Sequence, residues 1–296
     1  MLTRMGARRR FKQVDVFTRV PFKGNPLAVV LDGDALADEQ MHAIARWTNL
    51  SETTFALTPR DPQADYRVRI FSPGTEFPFA GHPTLGTAHA LLEAGLTPKT
   101  PGRLVQECGV GLVHIRIADD GALAFRAPEA ELRALHASLF PAVRAALQSD
   151  AFHLGGPPVV ATMGICWLVV RMDSAQACRD VRPDAQALLE ITRMGMTGIA
   201  MYGAMPPGGA IDYEVRAIFT KMDVLTEDPV TGSANACIAR VLEAQGFPDG
   251  GHTSAGYTAC QGGQVQCDGR ISVLYQDGAP WIGGHSVSVI DGTIQV

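Results

Sequence analysis

The chain has 296 residues, 46% of them hydrophobic, and a formal net charge of -5 spread along its length. That suits one large domain or two of about 130–150 residues, with ordinary cores and no covalent staples. The acidic balance, with no basic block after residue 10, gives no support to nucleic-acid binding, and no run of about 18 apolar residues is present to span a membrane.

The first ten residues hold Arg4, Arg8, Arg9 and Arg10 but lack the apolar region of a secretory signal. Residues 1–12 are therefore expected to be a disordered N-terminal extension. A strand is predicted over Gln13–Thr18 from its alternation and β-branched residues. Lys23-Gly24-Asn25-Pro26 reads as a turn, and Leu27–Leu31 as a buried strand. Asp38–Trp47 has helical spacing, with Met41, Ile44, Ala45 and Trp47 as its apolar positions. Strands are expected at Thr53–Leu57 and Tyr66–Phe71. A helix should follow Gly81, with Gly95 as its C-cap. Gly111–Ile117 and Ala122–Arg126 read as a hairpin about Asp119-Asp120-Gly121.

The stretch from Pro128 to Pro158 changes character and ends in the breaker Gly155-Gly156-Pro157-Pro158. We read 13–130 as an N-terminal domain, 131–158 as a connecting segment and 159–296 as a C-terminal domain. The second part repeats the plan of the first, with strands near Cys166–Arg171 and Glu214–Phe219, then a Gly-led helix near Gly232–Ala244. Gly81 and Gly232 lie 151 positions apart. Each opens a helix rich in small residues, preceded by a strand and followed by a Leu-Glu-Ala run and a Gly. A half-length repeat of this kind points to duplicated domains.

Six cysteines (Cys108, Cys166, Cys178, Cys237, Cys260, Cys267) are scattered without a C-x-x-C pair. They read as reduced thiols of a cytoplasmic protein, most of them buried as small hydrophobes. The histidines lack zinc-site spacing. Ser233 lacks a G-x-S-x-G context, and no G-x-G-x-x-G follows a strand. What remains is the pair of Gly-led helix starts. The first N–H groups of a helix lack intrahelical acceptors and sit at the positive end of its dipole. Gly lets an anion approach them, most simply a substrate carboxylate. Glu52, at the junction of a helix and a strand, can act as acid and base if desolvated; taken alone it reads more readily as a surface or capping residue. His82 can cap a helix, bind substrate or lie on the surface, and Asp228-Pro229 can be a plain turn.

Five motifs in order resolve part of this. Val14-Asp15-Val16-Phe17-Thr18 with Phe22-Lys23-Gly24-Asn25-Pro26 comes first, and Asn49-Leu50-Ser51-Glu52-Thr53-Thr54-Phe55 second. Phe71-Ser72-Pro73, Glu76 and Gly81-His82-Pro83-Thr84-Leu85-Gly86-Thr87-Ala88 make the third, and Glu227-Asp228-Pro229-Val230-Thr231-Gly232-Ser233-Ala234 the fourth. Gln261-Gly262 before Gly269-Arg270 is the fifth. The set resembles the phenazine-biosynthesis (PhzF-like) family from residue 13 to the C-terminus. The resemblance implies an α+β, diaminopimelate-epimerase-like fold: two similar, pseudo-twofold-related domains, each a curved sheet wrapped around a central helix, with the site in the cleft between them. It implies Glu52 as the catalytic proton carrier and Gly81, His82, Asp228, Gly232 and Ser233 as substrate-binding residues. It implies no cofactor and no metal. The expected partner is a small carboxylate-bearing substrate, with neither nucleic acid nor membrane, and a homodimer is compatible with it. The best-known member isomerises a dihydro-hydroxyanthranilate.

Racemases of the same fold use two cysteines, one before each helix-start Gly. Ala80 and Thr231 stand there, which argues against that chemistry. A non-cysteine epimerase and a non-catalytic binder remain as alternatives. One departure from the family pattern lies at residues 220–226, Thr-Lys-Met-Asp-Val-Leu-Thr, where the family has a Pro/Gly-containing loop. It leaves the substrate open.

Overall fold

The computed structural model of the chain describes residues 7–152, 156–221 and 223–296. They form two compact units, one from the residues up to Arg126 together with Gly283–Val296, the other from Ala127–Ile282.

In the first unit, β1 (Arg8–Val16) pairs antiparallel with β2 (Asn25–Val30). Helix α1 (Asp38–Thr48) crosses to β3 (Glu52–Leu57), which runs parallel to β2. β4 (Tyr66–Phe71) is antiparallel to β3 and makes a hairpin with β5 (Glu76–Phe77). Helix α2 (Gly81–Glu93) then leads to β6 (Arg103–Cys108), parallel to β4, and to the antiparallel β7 (Gly111–Ile117) and β8 (Leu123–Arg126).

The second unit opens with β9 (Glu131–Ala134) and α3 (Phe140–Leu147). β10 (Val159–Thr162) lies antiparallel to β9 and to β11 (Cys166–Arg171). Helices α4 (Ala175–Asp180) and α5 (Ala185–Arg193) cross to β12 (Gly198–Ala204), parallel to β11. β13 (Tyr213–Lys221) is antiparallel to β12 and makes a hairpin with β14 (Val224–Glu227). Helix α6 (Gly232–Ala244) leads to β15 (Gly256–Gln261), parallel to β13, and to the antiparallel β16 (Gly269–Gln276). β17 (Ala279–Gly284) and β18 (Ser286–Gln295) end the chain, and β18 pairs antiparallel with β1.

The order antiparallel, helical crossover, parallel, antiparallel, hairpin, helix, parallel, antiparallel thus occurs once per unit, so the duplication read from sequence is a repeat of topology. In each unit one helix is central. Nearly every residue of α2 from Gly81 to Ala88 is buried, and α2 packs against β1, β2, β3, β8 and β18. Gly86 lets it approach: a Cβ there would stand 2.6 Å from Leu27 and 2.8 Å from Val16 side-chain atoms. Helix α6 is buried from Ala234 to Leu242 and packs on β10, β11 and β12. A helix apolar on all sides is stable only when enclosed. Large side chains such as Leu85 and Ile238 are wholly buried, each contributing on the order of 1.5–3 kcal/mol. Outside α6, Val143, Leu147, Leu188 and Ile191 of α3 and α5 form a second layer with Leu168, Val170, Ile199 and Met201.

Several expectations need correction. Residues 8–12 are not an extension but the start of β1. Their arginines alternate in and out, Arg10 forks onto Asp32, and Lys12 is buried against Glu93 at 2.9 Å and Asp291 at 2.7 Å. Residues 1–6 lie outside the described residues. The segment 131–158 is no connector. β9 pairs with β10 and α3 packs on α5, so the second unit begins at Ala127; Gly155 of the expected breaker lies outside the described residues. The C-terminal domain does not run to residue 296, because β18 completes the sheet of the first unit. Trp47 is 77% exposed: at 100° per residue it falls off the face that Met41, Ile44 and Ala45 bury. Of the six cysteines, all free, only Cys178 and Cys237 are fully buried. Residues 220–226 continue the β13–β14 hairpin, with Lys221 opposite Val224 and Asp223 at φ 61°; Met222 lies outside the described residues. Among the described residues no helix is long and apolar enough to cross a membrane.

Candidate active site

Three elements bring the expected residues of the first unit together. The turn between β1 and β2 is organised by Asp15, whose buried carboxylate accepts the backbone N–H groups of Phe22, Lys23 and Gly24. Burial raises the Asp15 pKa, and those N–H groups pull it back. Gly24 is required there, since a Cβ would sit 2.5 Å from the carbonyl oxygen of Val16. The turn delivers Asn25, wholly buried, to the head of β2. Helix α1 ends at Asn49 in the left-handed region (φ 54°), whose N–H reaches Ala45 O at 3.3 Å. The chain thereby turns into β3 with Glu52 as its first residue, in parallel register with Leu27. Helix α2 supplies Gly81 and His82 in its first turn.

His82 joins the three. Its Nε2 lies 3.2 Å from Glu52 Oε2, and its Nδ1 lies 3.4 Å from Asn25 Nδ2. The imidazole is 7% exposed, and burial pushes its pKa down to about 3. It is therefore neutral at physiological pH, one nitrogen a donor and the other an acceptor. Nε2 stands close to the carboxylate but off the line of a formed hydrogen bond; such contacts tighten when substrate binds. The N-cap of α2 is Ala80, which offers no side-chain cap. Thr84 N–H bonds Ala80 O, and the N–H groups of Gly81 and His82 have no acceptor among the described residues. Gly95 at φ 95° closes the other end, as expected from sequence: its N–H meets Leu92 O at 3.0 Å and that of Leu96 meets Leu91 O at 2.9 Å.

In the second unit Asp228, Gly232 and Ser233 gather at the head of α6. Thr231 Oγ1 donates to Asp228 Oδ2 at 2.6 Å. Ser233 Oγ accepts from Trp167 Nε1 at 3.1 Å. Behind them Gln261, 1% exposed, ties the turn together. Its Oε1 accepts Thr231 N–H and Asn235 Nδ2, each at 3.0 Å. Its Nε2 donates to Asp228 O at 3.1 Å and Thr231 Oγ1 at 2.8 Å. The sequence singled out Gln261 without a role; the structure gives it this one.

Two further repeated pairs escaped the sequence reading. Gly109 and Gly262 each press on the proline three residues before a helix-start Gly. A Cβ on Gly109 would lie 2.6 Å from Pro78 Cα, and one on Gly262 2.4 Å from Pro229 O. Arg69 forks onto Glu76 with both bonds 2.7 Å, and Arg216 forks onto Glu227 at 3.1 and 2.8 Å. Glu76 and Glu227 are 151 positions apart, the same period as Gly81 and Gly232, and so are Pro78 and Pro229; their partners Gly109 and Gly262 are 153 apart and Arg69 and Arg216 are 147 apart, so a fixed period hides them. A separate cavity of about 260 Å³ in the second unit, lined by Met205, Pro206, Asp212, Tyr213, Asp249 and Thr253, contains none of the expected site residues.

Comparison with known proteins agrees with this frame. The family model described as phenazine biosynthesis-like protein (PhzC-PhzF) matches residues 14–292. The chain is 34% identical to antisense-enhancing sequence 1 of Schizosaccharomyces pombe, over 95% of this chain and 97% of that protein. It is 33% identical to the trans-2,3-dihydro-3-hydroxyanthranilate isomerase of Pseudomonas aeruginosa, over 78% of each. A PhzF-family crystal structure from Bacillus anthracis superposes with a TM-score of 0.81 at 23% identity, covering 98% of this chain and 100% of that one. A hydroxyproline epimerase from Agrobacterium vitis shares the fold at a TM-score of 0.63 and 14% identity, covering 98% and 93%.

Proposed function

The chain belongs to the PhzC-PhzF family of phenazine biosynthesis-like proteins and is an isomerase, and from that premise we propose that Glu52 moves a proton within a small carboxylate-bearing substrate without a cofactor. The supporting observation is the approach of Glu52 to a buried, neutral His82, 3.2 Å away. The Glu52 carboxylate takes a proton from a substrate carbon. The electron pair of that C–H bond stays in the substrate and delocalises. Glu52 then returns the proton to another atom, so nothing is gained or lost overall. His82 serves as a hydrogen-bond donor rather than an acid at neutral pH. The N–H groups of Gly81 and His82 at the start of α2 suit an anionic oxygen. Asp228, Gly232 and Ser233 are proposed as substrate-binding groups of the second unit. A reducing, cytoplasmic setting belongs to the same reading, in keeping with six free cysteines.

The test uses trans-2,3-dihydro-3-hydroxyanthranilate, the compound in the relative's name. Glu52→Gln keeps size and reach but cannot accept the proton. It should melt like the wild type, bind a substrate-like carboxylate, and lose turnover by at least ~10²-fold. Asp228→Asn should weaken KM and kcat together. A Glu52→Gln protein with near-normal rate would move the proton to another group. Epimerisation without cysteines is the rival on this fold. Solvent deuterium entering the α-carbon of a chiral amino acid, with Glu52-dependent racemisation, would favour it.

A further inference from the structure

Asn25 has no role in the reading above, yet it is wholly buried and touches His82, the side chain 3.2 Å from Glu52 Oε2. Its amide nitrogen faces His82 Nδ1. An N–H donor opposite a neutral imidazole needs the lone-pair nitrogen there, which leaves the ring proton on Nε2. The opposite amide orientation would demand a proton on Nδ1. Nε2 would then turn a bare lone pair toward a carboxylate oxygen 3.2 Å away, acceptor against acceptor. The surroundings of Asn25 fix it in place. The Asp15-bound turn and the close approach of Gly24 to Val16 set its backbone, and Asn25 pairs with Val16 across β1 and β2.

We propose that Asn25 is a positioning residue that holds His82 as the neutral Nε2–H tautomer, so that His82 turns its one N–H toward Glu52 Oε2 and cannot compete with Glu52 as a base. The proposal rests on Glu52 being the proton carrier, and it adds how that exclusivity is built. In the other tautomer Nε2 would be a second base beside Glu52, able to take the proton in transit. With Nε2 protonated, His82 turns a donor toward Glu52 Oε2 in place of a second base.

Nitrogen-15 NMR of the full chain carrying labelled histidine reads the tautomer, because couplings from the ring protons distinguish a protonated nitrogen from a bare one. At pH 7 wild-type His82 should be protonated at Nε2 and bare at Nδ1. In Glu52→Gln the same tautomer should persist, since Asn25 is still present. In Asn25→Asp the new carboxylate should draw a proton onto Nδ1. A wild-type ring protonated at Nδ1, a tautomer that shifts to Nδ1–H in Glu52→Gln, or a bare Nδ1 in a folded Asn25→Asp would each overturn the proposal. Should Asn25→Asp fail to fold, the first two measurements decide alone. No substrate enters these measurements. An active Glu52→Gln enzyme would thus sink the isomerase mechanism by its rate, while the tautomer reports on Asn25 separately.

Discussion

The heads of α2 and α6 occupy the same place in two copies of one topology, yet they are built oppositely. Around Asp228 a connected web forms, with Gln261 bonding Asp228, Thr231 and Asn235. Beside Glu52 a buried imidazole nitrogen stands 3.2 Å from the carboxylate without a formed hydrogen bond between them. A closed web rigidifies, whereas an incompletely satisfied group is costly to fold and available to a ligand. Duplication supplied the frame. On the proposed reading the copy bearing Glu52 carries the proton transfer, while the Gln261 web fixes the groups proposed to bind substrate in the other.

The contrast is sharpest in the repeated arginine forks. Arg216 is 4% and Glu227 11% exposed, while Arg69 is 24% and Glu76 39% exposed. Arg216 also reaches the carbonyls of Cys178 and Val181 at 3.0 and 2.9 Å. Arg216→Met should cost about 3–5 kcal/mol, because it strands a buried carboxylate. Arg69→Met should cost under about 1 kcal/mol, as for exposed pairs. Equal losses in urea titration would show that burial does not separate the two copies.

Gln261→Leu comes next. It removes the acceptor of Thr231 N–H and Asn235 Nδ2, so a loss of about 1–3 kcal/mol is expected per stranded group that finds no water. Asp228 should then lose its fixed position, and KM should rise. Unchanged stability would mean that the web is ornamental.

The first unit has its own signature in acid. The folded pKa of His82, about 3, lies below the roughly 6.5 of an unfolded histidine. Between these values the unfolded chain binds the extra proton. Stability from this group is therefore full above pH 6.5 and falls as pH drops toward 3, by at most about 1.4 kcal/mol per pH unit. His82→Gln should flatten the acid limb of stability by about one proton relative to wild type. Identical slopes would show that His82 protonates freely in the folded state. In rate profiles from pH 6 to 8, no His82 ionisation should appear.

The smallest effect concerns the bare cap. Ala80→Ser adds an N-cap acceptor for His82 N–H and should stabilise the protein by about 0.5–1 kcal/mol. The same bond would occupy an amide proposed to hold substrate, so activity should fall as the melting temperature rises. A gain in both would free the α2 amides from that role.

Much of this was legible in the chain. Strand β4 and helix α6 fell where periodicity put them, and Gly81 and Gly232 marked the repeat. Glu52 and His82 could be named only through motif resemblance, since nothing in their spacing says that β3 and α2 meet. Asn25 was visible as a turn residue. Its contact with His82 depends on the packing of α2 against β2, which is non-local. The ends were misread for a related reason. Arg8–Lys12 look like a charged tail until β18 arrives to pair with them, and residues 283–296 look like the end of a second domain until their partner strand is known.

That last pairing has a consequence for how the protein is made. β1 leaves the ribosome before residues 127–282, and its partner β18 after them. Residues 127–282 can collapse into a finished domain while the one bearing Glu52 waits for its closing strand. During that interval β1 offers an unpaired edge, and the exposed Arg8 and Arg10 place positive charge along it, a common guard against pairing with a neighbouring nascent chain. Translation must therefore reach the final β18 residues, Ser286–Gln295, before the domain bearing Glu52 can close.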